Sequence, residues 1–358
     1  MKIEFKSVLA EFFNLPSDYS LPEKLSFEVQ KWEHLLEDQI VLSRLGYPRT
    51  NVFKVPVLED QLLNLMLPEL GAFRLKKKNP TLCLTHDLDY LKSTTQMNLK
   101  RVLATRKFQW RQENYFASIK KIIDFDLAIG GASTFFVAAP KFAGPGIKRL
   151  QQWILDPSYR LTDPEFVDVF QLFKNRHVDV GIHGSFYSHT ENTLQQEVQS
   201  LSQYFDKPVL TSRQHWLNLP SPIQDLQRIY DSGIRIDTTL GWNGNVGFRG
   251  GLSRAFPIQL SHGNLFLLPM VLMDGPLFDD LKLSKNEVVN LSKQLLDEVF
   301  KRNGTVAIDW HERSAHSSYG WFQAYEEIVN WAAKKGFDFK SVTQLLTEEG
   351  ETYADGTI

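Results

Sequence analysis

The sequence predicts an α/β fold on a parallel sheet, with a barrel favoured over an open doubly wound sheet. Three observations lead there. Apolar runs of strand length alternate with helical stretches from about residue 79 onward, which is the pattern of strand–helix units. Seven or eight such units follow one another in a single stretch. Titratable residues also fall at the carboxyl ends of several of these strands, the rim where parallel barrels build their sites.

The chain has 358 residues, enough for one large domain or for one domain and a smaller one. Hydrophobic residues make up 42% and charged residues 23%, ordinary for a globular protein with a substantial core. A net charge of -2 provides no basic field to draw in nucleic acid or an acidic membrane. One cysteine, Cys83, excludes an intrachain disulfide framework and reads as a small core residue. The first residues lack the apolar stretch of a signal peptide, and no apolar run reaches membrane-spanning length, so the expectation is a cytoplasmic protein.

Residues 1–78 show helical periodicity without strands, as in Leu21 to Leu45, and hold no pair of candidate catalytic residues. They read as a mainly helical accessory segment. Lys76-Lys77-Lys78-Asn79-Pro80 reads as a solvated connector, so the barrel is expected over 79–358.

The first strand, Thr81-Leu82-Cys83-Leu84-Thr85, is too short for a helix with a defined face and runs into His86-Asp87-Leu88-Asp89. Period two puts Asp87 and Asp89 on one side of an extended chain. Two like charges that close need a cation or a shared proton, so the pair reads as one metal ligand and one general base. A basic helical segment then runs to about Ile129 and stops at Gly130-Gly131. Ser133 to Val137 is the second strand. A helix opened by Asp163-Pro164 leads to the third, Val178 to Ile182, which ends at His183. Ser188-His189-Thr190-Glu191 has capping-box spacing and predicts a helix from there to about Phe205. Val209 to Ser212 ends at Arg213, and Ile234 to Ile236 ends at Asp237. The glycines of 241–251 do not open a helix after a strand, so no dinucleotide or phosphate loop is expected there. Leu265 to Leu268 is the sixth strand and Thr305 to Trp310 the seventh, ending at His311. Between them Ser284 to Arg302 is a clear amphipathic helix, and Tyr319 to Lys335 is the last, before a weak strand at 337–339.

His183 is followed by Gly184, which lets the backbone turn or approach a ligand. His189, at a helix start, sits where the dipole favours the neutral, metal-binding imidazole. His215 is the alternative donor. Arg213 can pair with a rim carboxylate and lower its pKa. Trp216 and Trp242, with Trp310 and Trp321, lie near rim positions where indole faces can stack on sugar rings.

In this order the motifs resemble the polysaccharide deacetylase superfamily (the NodB homology domain, carbohydrate esterase family 4-like) over roughly residues 80–345. Asp87-Leu88-Asp89 resembles its aspartate pair, and His183-Gly184-Ser185 the start of its histidine motif. Arg213-Gln214-His215-Trp216 resembles its arginine motif, Asp237 with Trp242 its fourth motif, and Trp310-His311 its last. Residues 1–78 resemble the accessory segment of a bacterial branch with a Thr-His-Asp-x-Asp signature. The resemblance implies a distorted (β/α) barrel of about seven strands and a divalent metal, usually zinc. The implied reaction removes an acetyl group from an N-acetylated sugar, with metal-bound water as nucleophile. Asp89 and His183 would bind the metal, with His189, His215 or solvent as the third ligand and His189 the first choice. Asp87 would be the base, Arg213 its holder, His311 the acid and Asp237 the residue that orients His311. Two departures stand out. The family's second histidine position is occupied by Tyr187, and His215 stands where the arginine motif carries proline. The alternatives are a hydrolase of a non-sugar or cyclic amide, and an inactive glycan- or partner-binding module.

Overall fold

The computed structural model describes residues 79–95, 98, 113–140, 147–190, 192–220 and 222–354. The expected accessory segment, 1–78, lies outside them. So does most of the basic stretch after Asp89. The elements in chain order are β1 (Thr81–Leu88), α1 (Phe116–Ala128), β2 (Ser133–Val137), α2 (Ile147–Leu155), α3 (Pro164–Asn175), β3 (Asp179–Gly184), α4 (Thr193–Phe205), β4 (Thr211–Gln214), α5 (Pro222–Asp231), β5 (Ile236–Asp237), β6 (Phe256–Leu260), β7 (Gly263–Leu267), β8 (Met270–Met273), α6 (Lys285–Lys301), β9 (Thr305–Asp309), α7 (Phe322–Lys335), β10 (Asp338–Phe339) and α8 (Val342–Ala354). Among the described residues no helix is long and apolar enough to cross a membrane.

The strands form one curled sheet in the order β6-β7-β5-β4-β3-β2-β1-β9-β8, with β10 beside the start of β1. All neighbours run parallel except β6, which returns antiparallel on β7. This is a distorted α/β barrel, as the sequence predicts. Strand pairing does not close it. Isolated backbone bonds do the bridging instead: Met270 N–H donates to Leu240 O (2.9 Å) and Gly247 N–H to Val271 O (2.7 Å), tying β8 to the loop after β5. Two strands were not expected. β6 is the outer arm of a hairpin, and β8 is a short run set off from β7 by Leu268-Pro269, where proline removes a ladder donor.

Alternation along the strands sorts the core into two. Leu82, Leu84 and Leu88, with Phe135, Val137, Val180, Ile182, Val306 and Ile308, face the helices in the larger cluster. Cys83, Phe136, Ile236 and Ala307 face inward, in a smaller cluster that Val342 and Leu345 of α8 complete. Period two therefore sends Asp87 and Asp89 inward with Cys83, and Asp309 and His311 inward with Ala307. The same count sends Asp237 away from the interior, because its neighbour Ile236 is the inward residue.

Local signals behave as chemistry dictates in most places. Ser284 caps α6 with a full capping box, accepting from Glu287 N–H (3.4 Å) while Glu287 accepts from Ser284 N–H (2.8 Å). The same spacing at Ser188 does not start a helix. Ser188 donates its hydroxyl to Gln214 (2.6 Å), residues 186–190 turn, and α4 begins at Thr193. Gly181 is needed where it stands: a Cβ there would lie 2.4 Å from Thr211 Oγ1 and 2.5 Å from Phe136.

His86 faces the helices and fixes β1 to its surroundings. Its Nδ1 meets the Trp310 carbonyl oxygen (2.7 Å), and its Nε2 meets Asp126 (2.9 Å) at the end of α1. Asp126 also accepts from Ser133 (2.6 Å) and Tyr325 (2.7 Å), so one buried carboxylate joins α1, β2, α7 and β1. Removing one partner of such a buried pair leaves the other uncompensated. His86→Ala should cost about 3 kcal/mol, read from the urea midpoint; a midpoint equal to that of the wild type would contradict this role.

Candidate active site

The inward polar residues meet at the carboxyl end of the sheet. Asp87 lies near the end of β1 and Asp89 just after it, His183 lies in β3, Arg213 in β4 with His215 just after, and Asp309 closes β9 with His311 just after. All seven are buried.

Arg213, fully buried, binds this end together. Its Nη1 donates to Asp87 (2.8 Å) and lies 2.9 Å from Asp309 Oδ1. Its Nη2 donates to Thr85 Oγ1 (2.7 Å) and its Nε to Thr238 Oγ1 (3.0 Å), while the guanidinium lies over the Phe136 ring. Burial pushes the Asp87 carboxyl up, but Arg213, His183 and His311 outweigh it and hold it below the usual carboxylate range. Asp309, second in line for the same cation, is pushed up to about 6 by burial and by Asp87.

Three donor atoms face one another beside this pair. Asp89, His183 and His215 each offer an atom within 4.8 Å of the others. His183 Nε2 lies 3.5 Å and His215 Nε2 3.6 Å from Asp89 Oδ1. The far nitrogens are already engaged: His183 Nδ1 meets Arg213 O (3.0 Å), and His215 Nδ1 meets Asp156 Oδ1 (3.2 Å). Both partners are acceptors, so each Nδ1 carries a hydrogen, and each ring turns its Nε2 to the same point. Asp89 Oδ1 and His183 Nε2 are buried and have no hydrogen-bond partner. Asp89 is steadied from behind by Arg313, which donates to its Oδ2 (3.2 Å), and by Glu312, which accepts its backbone N–H (3.2 Å). Two imidazoles, one carboxylate and orphaned lone pairs fit a divalent ion of the zinc type.

His311 faces Asp89 from the other side, its Nε2 3.5 Å from Asp89 Oδ2. Asp274, just beyond β8, holds it: Asp274 Oδ1 meets His311 Nδ1 (2.6 Å), and Asp274 Oδ2 accepts the His311 backbone N–H (3.0 Å) and the Ser314 hydroxyl. Burial and Arg313 press the imidazole pKa down, but Asp274 and Asp309 prevail and raise it to about 10.

Two sequence expectations change. His189 does not join the donor group; its Nδ1 lies 3.4 Å from Asn218 Nδ2 in the turn after β3, and His215 stands with Asp89 and His183 instead. Asp237 does not reach His311. Its outward parity buries it against Ser212 (2.5 Å) and Thr239 (2.9 Å), where burial raises its pKa despite those bonds. Asp274 holds His311 in its place. Tyr187, in the family's histidine position, turns its hydroxyl to Gln151. Sequence reasoning also passed over Asp156 and Asp309. Asp274 carried a usable signal, since it follows an apolar run, Met270 to Met273, as the other rim residues do. Trp216 and Trp242 both line a cavity of about 510 Å³ beside His215, Trp216 at 41% exposure and Trp242 at 3%.

No family model and no curated protein sequence matches the chain. Among solved structures it is similar to a candidate polysaccharide deacetylase from Mycobacterium smegmatis, with 14% identity over 75% of this chain and 90% of that one and a TM-score of 0.49. It is similar to PuuE allantoinase, with 9% identity over 78% and 95% and a TM-score of 0.48. A CE4 family pseudoenzyme from Bacillus anthracis is similar at 8% identity over 75% and 66%, with a TM-score of 0.42. Likeness at this level does not choose among a deacetylase, an allantoinase and a pseudoenzyme; only the chemistry of the rim side chains can.

The donor geometry predicts which residues zinc binding would need, read by equilibrium dialysis. His183→Ala and His215→Ala should lose the ion, and His189→Ala should keep it. Asp156→Asn, which loosens the His215 ring, should weaken binding about 10- to 100-fold. Loss in His189→Ala with retention in His215→Ala would overturn the assignment.

Proposed function

We propose that the chain is a metal-dependent hydrolase that removes the acetyl group from an N-acetylated sugar or glycan. The observation that carries the reading is the arrangement of two opposed proton-handling groups, Asp87 and His311, around the Asp89–His183–His215 donor set. The resemblance of the motif order to the deacetylase superfamily points the same way.

Asp89, His183 and His215 would hold a divalent ion, zinc by their chemistry. When bound there, it supplies a Lewis acid that polarises the acetyl carbonyl and acidifies water. The chain's own residues divide the proton work. Asp87, kept ionised by Arg213, accepts the proton of the attacking water. Its Oδ2 lies 3.7 Å from His183 Nε2, so it faces the donor set directly. His311, whose Nδ1 is fixed by Asp274, keeps a proton on Nε2 and delivers it to the leaving amine. Arg213 and Asp274 are positioning residues: each acts through the group it holds. The site falls wholly within 79–358, the expected barrel.

A catalytically inactive binder drew its support from Tyr187 in the second histidine position. His215, supplied by the residue after β4 rather than by the turn after β3, restores two imidazoles beside Asp89 and removes that support. A binding module also has no use for a carboxylate held ionised opposite an imidazole held protonated. A cyclic or non-sugar amide places the same demands on these residues, so a substrate panel separates it from an N-acetyl sugar.

The experiment is acetate release from N-acetylated mono- and oligosaccharides, with cyclic amides alongside. Wild type should release acetate. His311→Ala should slow it about 10²- to 10⁴-fold with zinc content unchanged, and Asp87→Asn should do likewise. Full activity in His311→Ala would remove the acid assignment, and turnover of cyclic amides alone would move the activity to that class.

A further inference from the structure

Helix α2 (Ile147–Leu155) is turned apolar side out. Its Gln152 is 1% exposed, while Leu150 is 56%, Trp153 52% and Ile154 43% exposed. Positions 150, 153 and 154 stand three and four residues apart, so they share one helix face. Large exposed apolar groups are otherwise scarce: among the described residues only Leu127, Val167 and Trp216 join them. Trp216 lies against the end of the same helix, its Nε1 donating to Leu155 O (3.0 Å). Four of the six therefore gather at α2, beside the candidate site. Single exposed apolar residues need no explanation, whereas a contiguous patch marks a surface that something covers.

The charges around the patch bear on the kind of cover. Leu150 and Trp153 line a hollow of about 690 Å³ together with Arg149 and Arg160. Both arginines are exposed, and neither guanidinium makes an ion pair or hydrogen bond with a described residue. Asp156 is the one acid among the hollow's described lining residues. It is buried, accepts the Phe186 backbone N–H (2.7 Å) and meets His215 Nδ1 (3.2 Å). Two like charges at one hollow favour an anion there. On a chain of net charge -2 their pull acts at contact rather than at a distance. An apolar helix face flanked by cations fits the boundary between headgroups and acyl chains of an anionic membrane. A protein partner fits less well: four half-exposed side chains cover much less than the roughly 800 Å² that each side of a stable protein interface buries.

We propose that α2 is a peripheral membrane contact, its outward apolar face set into the headgroup layer of an anionic phospholipid surface, with Arg149 and Arg160 on lipid phosphates. The helix lies along the membrane, not across it. Leu155 and Asp156, at its end, hold Trp216 and His215, so this contact sets the rim of the candidate site beside the lipid. It stands whether or not the chain is a deacetylase.

The test is co-sedimentation of the full chain with vesicles of phosphatidylcholine alone and of phosphatidylcholine mixed equally with phosphatidylglycerol. Wild type should bind the anionic vesicles about tenfold or more tighter than the neutral ones, each arginine contributing about fivefold. Added salt should weaken that binding. Arg149→Gln with Arg160→Gln should bring the two kinds of vesicle level. Leu150→Ser with Ile154→Ser should weaken binding to the anionic vesicles about tenfold or more. All four side chains are exposed, so both pairs of substitutions should melt as wild type does. The vesicle comparison in wild type needs no variant. No binding to anionic vesicles, equal wild-type binding to both kinds, or full binding by the folded Leu150→Ser, Ile154→Ser protein would overturn the inference. So would a wild-type dimer, seen by light scattering, that this pair of substitutions turns into a monomer, because a second copy would then be the cover.

Discussion

One buried guanidinium fixes the working end of this sheet. Arg213 takes Asp87 and Asp309 on one nitrogen, Thr85 on another and Thr238 on the third, and lies over the Phe136 ring. Those contacts reach β1, β9, β2 and the loop after β5 from a position in β4. A charge taken out of water costs free energy, and two carboxylates with further hydrogen bonds are what offset it here. The planar fork matters as much as the charge, since a lysine ammonium could not meet both carboxylates and both hydroxyls in fixed directions. Because Arg213 has two acids to satisfy, one is held ionised and the other is pushed toward neutrality. On the proposed reading, that split suits Asp87 to accept a proton and leaves Asp309 as a brace.

The imidazoles follow the same logic of a fixed far side and an open near side. His183 is pinned by the carbonyl of Arg213, His215 by Asp156 and His311 by Asp274. The partner decides the task. His183 meets a neutral carbonyl and His215 a carboxylate at 3.2 Å, both looser contacts than the 2.6 Å between Asp274 and His311. The short bond to Asp274, with Asp309 near by, suits His311 to keeping its proton. On the proposed reading, three histidines within one rim take two roles without any difference in residue type.

Much of this was legible in the sequence. Strand alternation put Asp87, Asp89, His183, Arg213 and His311 at strand ends, and the structure brings these five together. The unread parts have physical causes. Asp237 has the right residue type at the right strand end but the wrong parity, and a two-residue strand gives no pattern from which to count parity. His189 was placed by a capping-box spacing that Ser188 spends on Gln214 instead, a contact between positions distant in the chain. His215 and Asp156 meet only because β4 and the end of α2 converge. Asp274 follows the short apolar run Met270 to Met273, which reads as a continuation of Leu265 to Leu268 past Pro269 rather than as a strand of its own. Local patterns carried the sheet and the direction of its side chains; which residue completes each hydrogen bond depended on packing between elements far apart in sequence.

The central claim is that one ion, held by Asp89, His183 and His215, governs the hydrolytic work of Asp87 and His311. Its most direct test is acetate release from an N-acetylated sugar after a chelator strips the protein and zinc is returned in steps. The account predicts that activity disappears with the ion and returns in proportion to bound zinc, saturating at a single equivalent. Activity that survives full removal of the metal, or that rises only when a second ion binds, would contradict it.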